Sequence, residues 1–355
     1  MRDRNIRFYL AVFLLLAFFI HILNKRYGVL EETGLTLTSN VNTLASFRHQ
    51  GPTCRISSLD LYEARNQRCR TRNSMLEAMS TGGRVGRDAP YTAKGCDMIW
   101  YSTKEVCQIL GRFSQVMLVG DSMLRHIIGA LNIFIREDLG YGAVTDWNFS
   151  NEERQNCFCL NQFNVKTCSV QGIYKTSDVL THDPESLACP KLIPGWKMDL
   201  SIEQINRFPI PPDELARLRA SVHAGQPAAV RPRPRAFILG QGLWNDLEVE
   251  DSIHWLDAIL AVINRNAEYQ IPTLLVTPNA AGKDKPDRWI ATQGNEALAR
   301  FEEAMADAAN KQGIDHLGTW NMSIQATLYD GVHLDMRGNL LKAMMVVNWL
   351  AFLDG

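Results

Sequence analysis

From about residue 95 onward the apolar positions alternate between two rhythms. Val116-Met117-Leu118-Val119, Ala236-Phe237-Ile238-Leu239 and Thr273-Leu274-Leu275-Val276-Thr277 are short runs without polar alternation, the pattern of strands buried on both faces. Between them, apolar residues recur every three or four positions. Leu124, Ile127, Ile128, Leu131 and Ile135 predict a helix that starts at Ser122. Further helices are predicted from Pro211-Pro212-Asp213-Glu214 to about Val222, near 252–266, near 293–312, and from about Arg337 to Phe352. Strands alternating with helices predict an α/β fold, a parallel sheet with helices on both faces. Sites in such sheets form at the carboxyl ends of the strands.

The N-terminus carries a third pattern. Phe8 to Ile20 is unbroken apolar, and the run extends past His21 to Leu23. Flanking Arg7 and Lys25 can snorkel and lengthen it toward a membrane span. Arg2, Arg4 and Arg7 precede the run, which favours a cytosolic N-terminus. His21-Ile22-Leu23-Asn24-Lys25 is a poor cleavage site, so an uncleaved anchor is favoured over a cleaved signal peptide. The expected organisation is a cytosolic tail at 1–7, a transmembrane helix at 8–24, a luminal stem at 25–90 and a folded domain at 91–355. The stem lacks strong periodicity and is expected to become ordered near Cys54.

Cysteine usage agrees with a luminal body. All eight cysteines (54, 69, 96, 107, 157, 159, 168 and 189) lie beyond the anchor. An even number in a secretory chain reads as about four disulfides of open connectivity. Residues 140–200 hold four of them and few periodic runs, and read as a disulfide-rich insertion. Cys157, Cys159 and Cys168 with His182 are the zinc alternative, but their spacing fits no common zinc motif. Asn148-Phe149-Ser150 and Asn321-Met322-Ser323 are glycosylation sequons.

Charge removes some functions. The chain has 355 residues, 46% hydrophobic composition and a formal net charge of -1, so nothing points to nucleic acid. Arg231-Pro232-Arg233-Pro234-Arg235 reads as a solvated basic loop. Thr81-Gly82-Gly83-Arg84-Val85-Gly86 lacks the Gly-Lys-Ser/Thr of a phosphate cradle. No cofactor and no metal is expected.

Two motifs carry the chemistry. Gly120-Asp121-Ser122 follows the first strand and sets a serine at a helix start, where free amides and the helix dipole favour negative charge. Alone, such a serine is ordinarily an N-cap. Asp330-Gly331-Val332-His333 offers an aspartate and a histidine within one turn. An aspartate on one imidazole nitrogen fixes the tautomer and leaves the other nitrogen to take a serine proton. Ser122, His333 and Asp330 therefore compose a nucleophile, base and orienting acid for acyl transfer. His126, one turn after Ser122, is a rival base. Arg125 is a candidate for substrate binding or for orienting the serine loop. In Gly240-Gln241-Gly242-Leu243-Trp244-Asn245-Asp246, Gly242 and Asn245 are candidate oxyanion donors beside the Ser122 amide, and Trp244 is a sugar-stacking candidate. The Gly-x-Gly there is too short for a dinucleotide fingerprint.

Gly120-Asp121-Ser122-x-x-Arg125 with Asp330-x-x-His333 near the end resembles the PC-esterase, or trichome-birefringence-like, branch of the GDSL/SGNH hydrolase superfamily. Cys96-Asp97 and Cys107 look similar to the cysteine-bearing segment before the serine motif in plant members. The resemblance covers about residues 95–355. It implies a three-layer SGNH-like fold and Ser122, Asp330 and His333 as the triad. It also implies a Golgi or secretory-lumen O-acetyltransferase or esterase acting on glycans. The Gly-x-Asn-Asp block of SGNH hydrolases appears here with one extra residue, as Gly242-Leu243-Trp244-Asn245-Asp246. Multipass domains that supply acyl donor in some relatives are not seen in this sequence. The resulting expectation is a single-pass type II membrane protein that moves an acetyl group onto a glycan or polysaccharide. The donor would be an acetyl ester or a group derived from acetyl-CoA. The alternatives are a glycan O-acetyl esterase and a non-catalytic glycan-binding protein. Trp147, Trp196 and Trp244 are candidate stacking faces along an acceptor groove.

Overall fold

A computed structural model describes residues 67–139, 152, 155–156, 177–181, 183–224, 233–265, 267 and 270–353. Its centre is a five-stranded sheet of β1 (Gln115–Gly120), β2 (Asp199–Gln204), β3 (Arg235–Gly240), β4 (Thr273–Val276) and β5 (Asp315–Leu317). The strand order is β2-β1-β3-β4-β5 and every pairing is parallel. Seven main helices accompany it: α1 (Arg72–Thr81), α2 (Thr103–Leu110), α3 (Ser122–Arg136), α4 (Pro212–Ala224), α5 (Val249–Ile263), α6 (Asn295–Lys311) and α7 (Met336–Ala351).

Strand alternation builds two cores. Val116 and Leu118 of β1, Ala236 and Ile238 of β3, and Leu274 and Val276 of β4 point to one face, where they meet α1, α2, α3 and α7. Met117, Val119, Phe237, Leu239 and Leu275 point to the other and meet α4, α5 and α6. A strand buried on both faces has no polar side to show, which is why β1 reads as a continuous apolar run. All six residues of β1 are buried. The three-layer α/β expectation therefore agrees with the observed architecture.

The helices start where the sequence signals it. Thr71 and Ser102 cap α1 and α2 through capping boxes with Ser74 and Glu105. Asp121 caps α3, and Asp335 caps α7 through Gly338. Each such cap is worth about 1 kcal/mol. The predicted helices near 252–266, 293–312 and 337–352 are α5, α6 and α7, displaced by one to three residues at their ends.

Three elements differ from the expectation. Residues assigned to the stem include α1, whose Met75 and Met79 are fully buried in the core shared with α3 and α7. Strand β2 begins at Asp199, inside the stretch read as a cysteine-rich insertion; its sequence Asp-Leu-Ser-Ile-Glu-Gln is half polar because it is an edge strand. β5 is only three residues long and gives no periodic signal.

Two disulfides join described residues, Cys69–Cys96 and Cys107–Cys189. Cys54, Cys157, Cys159 and Cys168 lie outside the described residues, as do the proposed membrane helix at 8–24, Asn148, Trp147 and His182. Among the described residues no helix is long and apolar enough to cross a membrane. The sequon at Asn321 is a correction. Asn321 is buried and its Nδ2 donates to the Ser80 carbonyl at 2.7 Å, so this packing leaves no room for a glycan there. Trp196 is buried too, with its indole N–H on the Cys107 carbonyl at 2.9 Å, and offers no stacking face.

The Cys107–Cys189 bridge ties α2 to the segment that leads into β2. Replacing both cysteines by alanine opens a loop spanning 82 residues, and the loop-entropy relation puts the loss at roughly 4.5 kcal/mol. Urea unfolding of the double variant should give a markedly lower midpoint. A midpoint equal to that of the parent would show that the bridge adds no stability.

Candidate active site

The site is organised by the carboxyl end of β1. Gly120 runs so close to β3 that a Cβ there would lie 1.8 Å from the Gly240 carbonyl oxygen. The Asp121 N–H donates to that same oxygen at 3.2 Å. Asp121 then turns the chain into α3: its Oδ1 accepts from the Met123 amide at 2.9 Å, and its carbonyl accepts from Leu124 and Arg125. The capping role thus belongs to Asp121, and the Ser122 hydroxyl is left for other work. Ser122 Oγ lies 2.7 Å from His333 Nε2.

His333 is aimed by its own turn. Its Nδ1 lies 2.7 Å from Asp330 Oδ2. Asp330 Oδ1 accepts from the Val332 and His333 amides at 2.9 and 2.8 Å. One carboxylate therefore holds both the backbone of the turn and the ring. Gly331 sits at φ +81°, and a Cβ on it would meet the Lys285 backbone at 2.0 Å, so glycine is required twice over. The Gly331 carbonyl accepts from the Gly282 amide, which fastens the turn to the loop after β4. Burial pushes the Asp330 carboxyl up, but the hydrogen bonds and charge of His333 outweigh it and hold the group below its ordinary value. Asp121, fully enclosed, is pushed up by burial against the pull of the Met123 amide, His333, Lys342 and Arg125.

The remaining sequence candidates divide. His126 is buried with its ring centroid 4.8 Å from that of His333, so it packs behind the base while His333 Nε2 makes the serine contact. Tyr329 stacks on the same histidine at 5.9 Å. Arg125, the candidate for substrate binding or for orienting the serine loop, is buried in the first turn of α3 and is engaged by an interaction of its own. Asn245 is a second correction: its amide accepts from the Phe208 N–H and donates to the Phe208 carbonyl, both at 2.8 Å, and also donates to Asp251. An amide spent in this way is not available to an oxyanion. Gly242, at the carboxyl end of β3, makes a tight turn at φ +152°, where a Cβ would strike the Phe301 ring at 2.8 Å. Trp244 is 62% exposed.

Two buried lysines escaped the sequence reading. Lys342, on α7, donates from Nζ to Asn279 Oδ1 at 2.8 Å. Asn279 Nδ2 donates to the Val332 carbonyl at 3.1 Å, so Lys342 supports the His333 turn through one intermediary. The available signal was a lysine inside the otherwise apolar run Leu340 to Val347. Burial pushes Lys342 down to about 8, against the raising fields of Asp121 and Glu302. Lys285 is also buried and pushed down to about 8, with Asp246 and Asp330 opposing the shift. Among the described residues no cluster of histidine, cysteine and carboxylate side chains is arranged to hold a metal.

No protein-family model matches the chain, and no curated protein does. Among solved structures it bears a likeness to Est24, a carbohydrate acetylesterase from Sinorhizobium meliloti, at 13% identity over 66% of this chain and 96% of that one, with a TM-score of 0.36. A carbohydrate acetylesterase family member from the same organism gives 14% identity, 68% and 100% coverage, and a TM-score of 0.35.

The Lys342 ammonium has a signature in pH. The unfolded chain keeps its proton up to about 10.5, whereas the folded chain releases it from about 8. Unfolded protein thus binds more protons in that window, so this group's penalty on stability is relieved as pH rises from 8 to 10.5. Its full size is on the order of 3 kcal/mol. Urea titrations at both ends of the window, on parent and Lys342→Met, should show the parent gaining stability relative to the variant. A pH-independent difference would mean that Lys342 keeps an ordinary proton affinity.

Proposed function

We propose that the protein is a serine-dependent acyl transferase that moves an O-acetyl group between carbohydrate esters and hydroxyls. The observation that carries this is the unbroken chain Ser122 Oγ, His333 Nε2, His333 Nδ1 and Asp330 Oδ2, with 2.7 Å at each contact. A nucleophile with a base and an orienting acid needs all three.

In this mechanism Ser122 Oγ attacks the ester carbonyl carbon as His333 Nε2 takes its proton. The tetrahedral oxygen gathers negative charge at the start of α3. The amides of Met123, Leu124 and Arg125 are engaged by Asp121, so the Ser122 amide is the donor offered to that oxygen. Gly242 remains the candidate for a second donor. The Asp330 carboxylate stabilises the imidazolium and holds the tautomer. When the tetrahedral species collapses, the carbon–oxygen bond to the leaving alcohol breaks, and that alcohol takes the proton back from His333. The acyl-enzyme then repeats the sequence with the acceptor: His333 removes the acceptor proton, the acceptor oxygen attacks, and Ser122 leaves with its proton restored.

The acceptor distinguishes two readings, because water and a sugar hydroxyl attack the same ester. Transfer to a glycan is favoured by the motif resemblance and by the exposed Trp244. A glycan O-acetyl esterase is the second reading. We further infer a membrane-anchored luminal setting. Its supports are the apolar run from Phe8 to Leu23 and the Cys69–Cys96 and Cys107–Cys189 bridges, which suit an oxidising compartment.

Ser122→Ala and His333→Ala should each abolish acyl transfer with the fold kept, and the double variant should be scarcely worse than either. Asp330→Asn should lose on the order of 10²–10⁴-fold in kcat. Near-full activity in Ser122→Ala would move the chemistry elsewhere. At saturating acceptor, acetylated glycan should exceed free acetate. Free acetate dominating with every glycan offered would make the protein an esterase.

A further inference from the structure

Three aromatic rings meet where α3 faces the Asp330–His333 turn. His333 lies 4.8 Å from His126 and 5.9 Å from Tyr329, and those two lie 6.4 Å from each other, centroid to centroid. The triangle spans the same gap as the Ser122–His333 contact. His126 comes four residues after Ser122 in α3, so both side chains leave one face of that helix. The serine reaches Nε2 of His333, and the His126 ring meets its ring.

Tyr329 is set by the turn itself. Its N–H donates to the His333 carbonyl at 3.1 Å, and the next pair outward, Leu328 and Leu334, forms an antiparallel bridge. Tyr329 and His333 are thereby cross-strand neighbours, and their rings lie within 17° of parallel. Aromatic pairs at such separations attract beyond the area they bury. His126 is 1% exposed, so close packing holds its ring where it is.

His333 needs such walls at one stage of the reaction more than at another. The torsion that turns an imidazole about its Cβ–Cγ bond is broad, so the ring has no strong orientation of its own. In the free protein two contacts fix it, Asp330 at Nδ1 and Ser122 at Nε2, each at 2.7 Å. Once Ser122 Oγ carries an acyl group it has no proton to give, and the bond at Nε2 is lost. The ring is then held by Asp330 and by the side chains that stand against it. It must still aim Nε2 at the acceptor. There Nε2 takes the acceptor's proton, the acceptor oxygen bonds to the acyl carbon, the bond from that carbon to Ser122 Oγ breaks, and the proton passes to Oγ.

We propose that His126 and Tyr329 are positioning residues for this second half of the reaction, keeping the His333 ring in place after Ser122 is acylated. The proposal rests on the acyl-enzyme reading above. Neither residue exchanges a proton with substrate in this role. What each supplies is a flat ring against His333.

Steady-state hydrolysis of p-nitrophenyl acetate by the full-length chain separates the two halves. Its good leaving group makes release of the acyl group the slower half. For such a substrate kcat/KM reports the steps up to acylation, whereas kcat reports the release. His126→Ala should lower kcat about tenfold, the scale of an aromatic pair. KM should fall with it, leaving kcat/KM within about threefold of the parent. Tyr329→Leu, at a half-buried position, should do the same and carries the test if His126→Ala does not fold. His126→Phe and Tyr329→Phe keep a ring and should restore kcat to within about threefold of the parent. The proposal is overturned if kcat/KM falls as far as kcat, or if kcat is unchanged in the ring-deleting variants. It is also overturned if His126→Phe is as slow as His126→Ala, because the ring nitrogens would then be the working part. Each of these results leaves the triad standing. A Ser122→Ala chain as active as the parent would overturn the acyl-enzyme reading and this proposal with it.

Discussion

The approach of β1 to β3 at their carboxyl ends is the constraint on which the rest of the site depends. Two glycines, Gly120 and Gly240, face each other where a single methyl group would collide with backbone. This lets the Asp121 amide reach the Gly240 carbonyl and turn the chain at once into α3. The turn consumes the Asp121 side chain as a cap and frees the next residue, Ser122, to present its hydroxyl sideways to His333. A bulkier residue at Gly120 would push the two strand ends apart and move the serine with them, whereas one at Gly240 would strike the Val276 carbonyl of β4. Sheet packing and serine position are therefore the same variable, because β1 is clamped on both edges and both faces.

Burial then sets the electrostatics of this corner. Asp121, Lys342 and Glu302 are charged types enclosed among apolar helices, and Lys342 lies in the fields of both carboxylates. Each would be expensive alone. Lys342 and Asn279 form a polar seam that runs from α7 to the backbone of the His333 turn. Polar seams of this kind are costly when one member is removed and cheap when complete. Asp330 differs from its neighbours, because it is satisfied by three donors from a single turn.

The parts of the site that sequence made legible are those whose geometry is local. An apolar run followed by Gly-Asp-Ser and a helical repeat can fold in few ways, and Asp330 with His333 can bond within one turn whatever surrounds them. The pairing of these two halves over 211 residues followed from their chemistry. What stayed hidden depended on distant contacts. Nothing in Gly242-Leu243-Trp244-Asn245 says that the amide of Asn245 will face Phe208. The half-polar β2 resembles a loop until β1 is seen beside it. α1 is so weakly patterned that only the burial of Met75 and Met79 reveals it as part of the core. Lys342 interrupts an apolar helix, but its partner Asn279 lies 63 residues away, so the sequence reading passed over it.

The Asp330–His333 turn carries acid and base as one rigid cassette, closed by Gly331 and by the Tyr329 amide on the His333 carbonyl. The alignment of three functional groups thereby reduces to a single tolerance, the gap between the cassette and the first residue of α3. That gap is governed by how α7, which begins directly after the cassette, seats on α3. A slight slackening of these two helices would uncouple serine from imidazole while both cores remained folded. The molecule thus has a failure mode that resembles a slipped clutch, in which drive is lost while every part is still intact.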